Sequence, residues 1–96
     1  MTSVSVIIPT FNRAMKTARA VTSVFYQSLS DYELIVVDDG SRDNTEDLLQ
    51  QFRGKLRYIR HASNRGVSAA RNRGIRESEA PWIAGRRFSA AAAGTA

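Results

Sequence analysis

Residues 35–41 read Ile-Val-Val-Asp-Asp-Gly-Ser. Three branched apolar residues in a row are typical of a strand that is buried on both faces of a sheet. The carboxylates of Asp38 and Asp39 are costly to bury, so we expect them where this strand leaves the sheet. In an open α/β sheet, ligands bind at the edge formed by the carboxyl ends of the strands. Gly40 permits a sharp turn at that edge. Three polar side chains could cap the next helix: Ser41, Asp43 and Asn44.

Strand and helix patterns alternate on both sides of this stretch. Apolar runs predict strands over residues 4–8, 32–37, 56–60 and 82–84. Apolar residues at three- and four-residue spacing predict a helix from residue 14 to about 27 or 28. A second helix is expected from about 44 to 52, with acidic residues in its first turn and Gly54 after its end, and a third from 67 to about 78. This alternation implies right-handed crossovers and an α/β fold with a mostly parallel, Rossmann-like sheet in the order β-α-β-α-β-α-β.

Two details of these elements follow from single residues. Pro9 is expected to end the first strand, because proline cannot donate a backbone hydrogen bond to the sheet. The third helix is expected to bury one stripe of mostly small residues, which would let it approach the sheet closely. That stripe consists of Val67, Ala70, Gly74 and Ile75.

The loops after the first three strands should meet at one edge of a parallel sheet. They are residues 10–13, 38–41 and 61–65. The second loop contains Asp38 and Asp39, and the third begins with His61, the only histidine of the chain. No nucleophile pairs with His61 in the sequence, so we expect a surface loop histidine. The edge itself is the predicted ligand site.

Composition restricts the class of protein. The chain has 96 residues, of which 43% are hydrophobic, and it has no cysteine. It is therefore expected to be a globular α/β protein without disulfides or thiolate metal sites. No apolar run approaches the roughly 20 residues of a membrane span, and the first residues lack the features of a signal peptide. A cytoplasmic location fits these features, and peripheral membrane attachment through a further part of a longer parent stays open.

Charge is divided unevenly along the chain. Residues 1–52 carry four basic and seven acidic side chains, whereas residues 53–96 carry ten basic and two acidic ones, and nine of those ten are arginines. The planar guanidinium group of arginine suits phosphate better than the ammonium group of lysine. A partner that carries phosphates fits this half, although a solvated basic surface explains the charge equally well.

The last twelve residues differ in composition from the rest. Residues 85–96 read Gly-Arg-Arg-Phe-Ser-Ala-Ala-Ala-Ala-Gly-Thr-Ala, with little to bury in a core. We therefore divide the chain into residues 1–84, a folded unit, and residues 85–96, a low-complexity tail that we expect to be poorly ordered.

Four motifs, in order, resemble the family 2 glycosyltransferases of the GT-A fold. They are VSVIIPTFNR at residues 4–13, ELIVVDDGS at 33–41, NRGVSAARNRG at 64–74 and APWIA at 80–84. The resemblance covers residues 3–84, and it implies the N-terminal half of a GT-A domain, which binds the nucleotide of a nucleotide diphospho-sugar. A UDP-sugar is the expected donor, and the acceptor is not implied.

The resemblance also implies roles for particular residues. The loop matching Pro9 and Thr10 lies along the nucleotide in the family, and the carboxylate matching Asp39 accepts a hydrogen bond from the base. An ionised carboxylate only accepts, which suits an imide N–H. Arg71 matches an arginine that points back to the nucleotide. The expected nucleotide-binding residues are Pro9, Thr10, Phe11, Arg13, Asp38, Asp39 and Arg71.

Alternatives to these roles stay open. Asp38 and Asp39 could instead form the turn and cap the helix, and Arg71 could be a solvated helix arginine.

One departure from the family bears on activity. The family continues after the fourth strand with an Asp-x-Asp motif, whose carboxylates hold Mn²⁺ or Mg²⁺ at the diphosphate. Residues 85–89 read Gly-Arg-Arg-Phe-Ser instead, without a carboxylate. The half that supplies the catalytic base in inverting members is also absent from this sequence. We therefore expect nucleotide binding without sugar transfer from this chain alone, and a truncation by frameshift or gene-model error is one hypothesis for the change at Gly85.

Three other classes of protein compete with this interpretation. The main alternative is a basic nucleic-acid-binding α/β module, but the sequence lacks interleaved aromatic residues and a reader motif. A dinucleotide-dependent oxidoreductase needs a glycine-rich turn after the first strand, where this chain has Pro9 to Asn12. A receiver-like domain would have its acidic pair after the first strand rather than the second.

Overall fold

The computed structural model describes residues 4–26, 31–79 and 82–85, the last four by their backbone alone. The strands are β1 (Val4–Thr10), β2 (Tyr32–Asp38), β3 (Arg57–Arg60) and β4 (Trp82–Gly85). The helices are α1 (Ala14–Phe25), α2 (Thr45–Leu49), which continues as a 3₁₀ turn over Gln50–Phe52, and α3 (Val67–Glu77). The predicted alternation of strands and helices is confirmed.

The four strands form one parallel sheet in the order β3-β2-β1-β4. β1 pairs with β2 along its whole length, from Val4 opposite Tyr32 to Thr10 opposite Asp38. The chain moves from β1 to β2 and β3 on one side and then returns to add β4 on the other side of β1. Such a reversal of strand order is the topological switch point at which open α/β sheets bind ligands.

Alternate residues of β1 and β2 pack on opposite faces of the sheet. Ile8 and Val36, both 0% exposed, lie on the face covered by α1 and α2. Ile7 and Ile35, 1% and 0% exposed, lie on the face covered by α3. Because both faces of these strands are covered, the continuous apolar runs of the sequence are explained.

Helix α3 buries a narrower stripe of residues than the sequence predicts. Ala70 and Gly74 are buried as expected, and a Cβ added at Gly74 would lie 2.5 Å from Cγ2 of Ile7. The predicted burial of Val67 and Ile75 is wrong, because they are 58% and 43% exposed. Val67 begins the helix, and Ile75 lies about 120° around the helix from the middle of the Ala70–Gly74 stripe.

The boundaries of some elements also differ from expectation. Pro9 does not end β1, which continues to Thr10. On one side of β1 the pairing with β2 includes Pro9 opposite Val37, and on the other side the described residues of β4 pair with Val4 to Ile7. Gly85 belongs to β4 and not to the tail. The rest of the predicted tail, residues 86–96, lies outside the described residues, as does the predicted end of α1 at residue 27 or 28.

Candidate functional site at the carboxyl edge of the sheet

The loops after β1, β2 and β3 meet at the carboxyl edge of the sheet. The backbone N–H of Asp39 donates to the carbonyl of Thr10 at 2.8 Å, and the N–H of His61 donates to the carbonyl of Asp38 at 2.8 Å. These bonds continue the sheet ladder beyond the last paired residues of the strands. The three loops that the sequence places at one edge are therefore adjacent.

Side chains of the first two loops hold each other in place. Ser41 Oγ accepts from the N–H of Asn12 at 2.8 Å, and Asn12 Oδ1 accepts from the N–H of Arg42 at 2.7 Å. Asp43 accepts from the N–H groups of Ala14 and Thr45, at the starts of α1 and α2. The capping role predicted for this region therefore belongs to Asp43.

Gly40 fits closely against the third loop. Its φ of +86° lies in the left-handed region, and an added Cβ would lie 2.9 Å from the carbonyl carbon of Ser63 and 3.0 Å from the nitrogen of Asn64. Glycine alone offers both the backbone conformation and the space. The turn after the two aspartates is thus fitted to the loop after β3.

Asp38 lies beneath this edge and is 0% exposed. Its Oδ1 accepts from the N–H of Ser41 at 2.8 Å, and its Oδ2 accepts from the hydroxyl of Tyr58 and lies 3.5 Å from Nη1 of Arg60. Burial and the hydrogen bond to Asp38 raise the pKa of Tyr58, so this hydroxyl stays protonated and keeps donating. The arrangement is the turn-forming alternative for Asp38, and its predicted nucleotide contact stays a prediction.

Asp39 is 3% exposed and joins the second loop to the third. Its Oδ1 lies 2.8 Å from Nδ1 of His61 and 3.0 Å from the N–H of Arg65, and its Oδ2 accepts from the N–H of Gly66 at 2.7 Å. Burial by itself would raise the pKa of Asp39, but the hydrogen bonds from His61, Arg65 and Gly66 outweigh it and leave the pKa below its usual value. The carboxylate is therefore ionised at neutral pH.

The prediction that His61 is a surface loop histidine is wrong. His61 is 6% exposed, because its ring lies against Asp39 beneath the third loop. Nothing near His61 in the sequence indicates this contact, since Asp39 is 22 residues away. A signal was nevertheless present: His61 follows a predicted strand directly, as Asp38 follows the preceding one, and carboxyl ends of parallel strands share an edge.

The other predicted site residues lie in three places. Pro9 and Thr10 are buried at the end of β1. Phe11, 38% exposed, and Arg13 line an open concavity of about 650 Å³ between the first loop and the Asp43–Asn44 segment. Arg71 is half-buried on α3, one helical turn from the edge at which this helix begins.

Arginine side chains at this edge are available to an anionic ligand. The carboxylates of Asp38, Asp39 and Asp43 are all taken up by intramolecular hydrogen bonds. Three arginines on the second loop, the third loop and α3 have no ion pair within the part of the chain that the structure describes: Arg42, Arg65 and Arg71. Positive charge is thus left without a partner where the strands end, and guanidinium groups bind phosphate oxygens well.

A divalent cation does not fit the described side chains. Residues 4–26 and 31–79 contain no group of three histidine, aspartate or glutamate side chains that could hold a metal ion. The buried Asp38 and Asp39 and the exposed Asp43 already accept from N–H and O–H donors. We therefore derive no chemical step through a metal for this chain.

The parallel sheet and its switch point beside β1 are those of an open α/β domain, which binds ligands at the carboxyl ends of its strands. The sequence profile of glycosyl transferase family 2 matches residues 5–85, and the chain belongs to this family. The family resemblance of the sequence is thereby confirmed, and it is favoured over the nucleic-acid-binding alternative. No helix within the described ranges is long and apolar enough to cross a membrane.

Individual relatives agree with this assignment. Poly(ribitol-phosphate) beta-N-acetylglucosaminyltransferase TarP of Staphylococcus aureus is 41% identical over 88 residues, which cover 86% of this chain and 27% of TarP. The crystal structure of S. aureus TarS 1–349 in complex with UDP-GlcNAc superposes with a TM-score of 0.83 and 26% identity, over 91% of this chain and 26% of that one. Mannosyltransferase PcManGT from Pyrobaculum calidifontis, at 23% identity, supports the fold with a TM-score of 0.81 over 88% of this chain and 27% of its own. The chain thus spans about a quarter of the length of each of these proteins.

Proposed function

We propose that residues 4–85 bind the nucleotide of a nucleotide diphospho-sugar at the carboxyl edge of the sheet. In the intact parent this binding would precede transfer of the sugar to an acceptor hydroxyl. The observation that carries the proposal is the convergence of three loops on Asp39 at the switch point, with unpaired arginines around them. A UDP-sugar is the proposed donor, which the UDP-GlcNAc complex of TarS supports.

The proposed site combines residues with different tasks. Pro9 and Thr10 form the floor of the site at the end of β1, and Phe11 and Arg13 form its side towards α1. Arg71 supplies positive charge from the other face of the sheet. Below them, Asp38 and Asp39 fix the loops, so that backbone N–H groups and arginines are held ready for phosphate and base. Groups that are fixed before the ligand arrives bind it with a smaller loss of conformational entropy.

Binding without transfer is the activity that we propose for this chain alone. The carboxylates of Asp38 and Asp39 are buried and occupied by donors, so they are not placed to act as a general base on an acceptor. The cytoplasmic location expected from the composition stays a prediction.

Competition between two kinds of ligand tests this function. The chain is titrated with UDP-GlcNAc and with a random single-stranded oligonucleotide, each at low and at physiological salt. We expect saturable binding of UDP-GlcNAc that the oligonucleotide does not displace. Salt-sensitive oligonucleotide binding that UDP-GlcNAc leaves unchanged would replace the proposal with the nucleic-acid-binding alternative.

A further inference from the structure

One arginine at the carboxyl edge is engaged within the protein. Arg60 is the last residue of β3 and lies opposite Asp38 of β2. Its Nη2 donates to the carbonyl oxygen of Ser41 at 2.6 Å, and its Nη1 lies 3.5 Å from Oδ2 of Asp38 and 3.4 Å from Oε1 of Glu46. A guanidinium group presents several N–H donors in a rigid plane, so it can hold several acceptors in a fixed arrangement. Arg60 therefore joins β3 to the end of β2, to the second loop and to α2.

Tyr58 contacts the same aspartate from the same strand. Side chains two positions apart on a strand lie on the same face of the sheet, as Tyr58 and Arg60 do. The ring of Tyr58 packs against the core on the face that α1 and α2 cover, and its hydroxyl donates to Oδ2 of Asp38. Because Asp38 is 0% exposed, these two side chains of β3 take the place of water at its carboxylate. The end of β2, where the second loop begins, is thus held by the neighbouring strand.

Ser41 extends the contact with Arg60 to the first loop. Ser41 is 1% exposed, and its N–H, carbonyl and hydroxyl groups are all bonded. The N–H donates to Oδ1 of Asp38 at 2.8 Å, the carbonyl accepts from Arg60, and Oγ accepts from the N–H of Asn12 at 2.8 Å. A buried carbonyl that loses its donor is destabilised, so the loop would move towards water if Arg60 were removed. Asp39, two residues before Ser41, would move with it.

We propose that Tyr58 and Arg60 are positioning residues for the nucleotide, which hold the second loop in its binding conformation through Asp38 and Ser41. The proposal rests on the proposed function and adds to it two residues that do not touch the ligand. A nucleotide binds only those molecules whose loops have the binding conformation. The apparent Kd therefore rises as the fraction of such molecules falls.

The same strand provides a matched control for Arg60. Arg57 begins β3, and it donates to the carbonyl oxygen of Glu77 at 2.7 Å and to Oε1 of Glu77 at 2.9 Å. Its side chain is 44% exposed, against 39% for Arg60. The two arginines thus bind the same kinds of acceptor, a backbone carbonyl and carboxylates, at opposite ends of one strand. Replacing either with glutamine removes one positive charge, but only Arg60 contacts the second loop.

Tyr58→Phe tests the positioning role without a change of charge. The substitution removes the hydroxyl that donates to Asp38 and leaves the ring in the core. We expect the Kd for UDP to rise about fivefold, as for the loss of one hydrogen bond. In the chain without nucleotide, we expect the backbone resonances of residues 38–42 to shift. An unchanged Kd overturns the proposal, and so do unmoved resonances in this segment.

Arg60→Gln and Arg57→Gln separate positioning from general charge. Both variants are titrated with UDP at about 0.5 M salt, where exposed charges are screened beyond a few ångströms. We expect the Kd to rise about tenfold in Arg60→Gln and to stay unchanged in Arg57→Gln, although urea unfolding should show a loss of stability in both. Equal Kd values in the two variants overturn the proposal and leave the proposed function intact. A wild-type chain that does not bind UDP overturns the proposed function itself.

Discussion

Buried or half-buried carboxylates lie at the carboxyl edge of the sheet and also at its amino edge, where the strands begin. Their hydrogen-bond and ion-pair partners differ between the two edges. At the amino edge, Glu33 accepts from the Oγ of Ser5 and from the N–H of Glu79, and Arg57 lies 4.0 Å from it. The same arginine and Arg73 bind Glu77, at 2.9 and 3.2 Å. Acidic and basic side chains therefore neutralise each other at this edge.

At the carboxyl edge, backbone N–H groups donate most of the hydrogen bonds that the carboxylates accept. Asp39 is held by the N–H groups of Arg65 and Gly66 and by His61, so the guanidinium of Arg65 is not used. Arg42 and Arg71 likewise have no ion pair in the described part of the chain. The comparison indicates that Arg42, Arg65 and Arg71 stay available to a ligand at the carboxyl edge, whereas Arg57 and Arg73 are engaged by Glu77 at the amino edge.

The largest effect on stability is expected from adding a methyl group at Gly40, which lies between the second and third loops. Gly40→Ala should lower the free energy of unfolding by about 3 kcal/mol, through left-handed strain and the clash with Ser63. Gly54→Ala is a matched control, because its φ is also +86° but no atom lies within 4 Å of the added Cβ, so about 1 kcal/mol is expected. Urea unfolding measures both values. Equal losses would show that the loops are not tightly fitted.

A smaller effect is expected from removing one unpaired cation. Arg71→Ala should raise the Kd for UDP about tenfold, because a charged hydrogen bond to the nucleotide is lost. Arg76→Ala is the control, since Arg76 lies on the same helix near the amino edge and should leave the Kd unchanged. Calorimetric titration at low salt measures both. An equal rise of the Kd in both variants would indicate that the arginines act through general charge and not at a specific site.

The smallest effect is expected on acidification. Burial would raise the pKa of Glu33, but hydrogen bonds from Ser5 and Glu79 leave it below its ordinary value of 4.5. A carboxylate whose pKa is lowered on folding stabilises the folded state fully above pH 4.5. This stabilisation is lost as the pH falls through the pKa of the folded state.

The two edges should respond differently when their carboxylates are neutralised. Glu33→Gln should cost about 1 kcal/mol at neutral pH, reduce the loss of stability in acid, and leave UDP binding unchanged. Asp39→Asn should also reduce the loss of stability in acid, because its pKa is lowered too, but it should weaken UDP binding. Thermal unfolding from pH 7 to pH 3 measures the stability. Weaker UDP binding by Glu33→Gln would contradict the separation of the two edges.

The strands and helices could be predicted from the sequence because their signals are local. Branched apolar runs and helical patterns predicted all four strands and three helices. The order of these elements predicted that the loops after the first three strands meet at one edge. The exposure of Val67 and Ile75 was not predicted, because hydrophobicity does not show how wide the buried stripe of a helix is.

Features that depend on distant contacts could not be read in this way. The burial of His61 depends on Asp39, and the fit of Gly40 depends on Ser63, each pair separated by more than twenty residues. Such contacts form only in the folded chain, so residue type and spacing do not predict them. The one available signal for His61 is its position directly after a predicted strand.

The central claim is that the nucleotide binds at the carboxyl edge, and a chemical-shift map of the labelled chain titrated with UDP tests it most directly. The account predicts shifts at Thr10, Asp39 and Arg71, with the amino-edge residues Ser5, Glu33 and Glu77 unaffected. Shifts centred on the amino edge, or a spectrum that UDP does not change at saturating concentration, would contradict it.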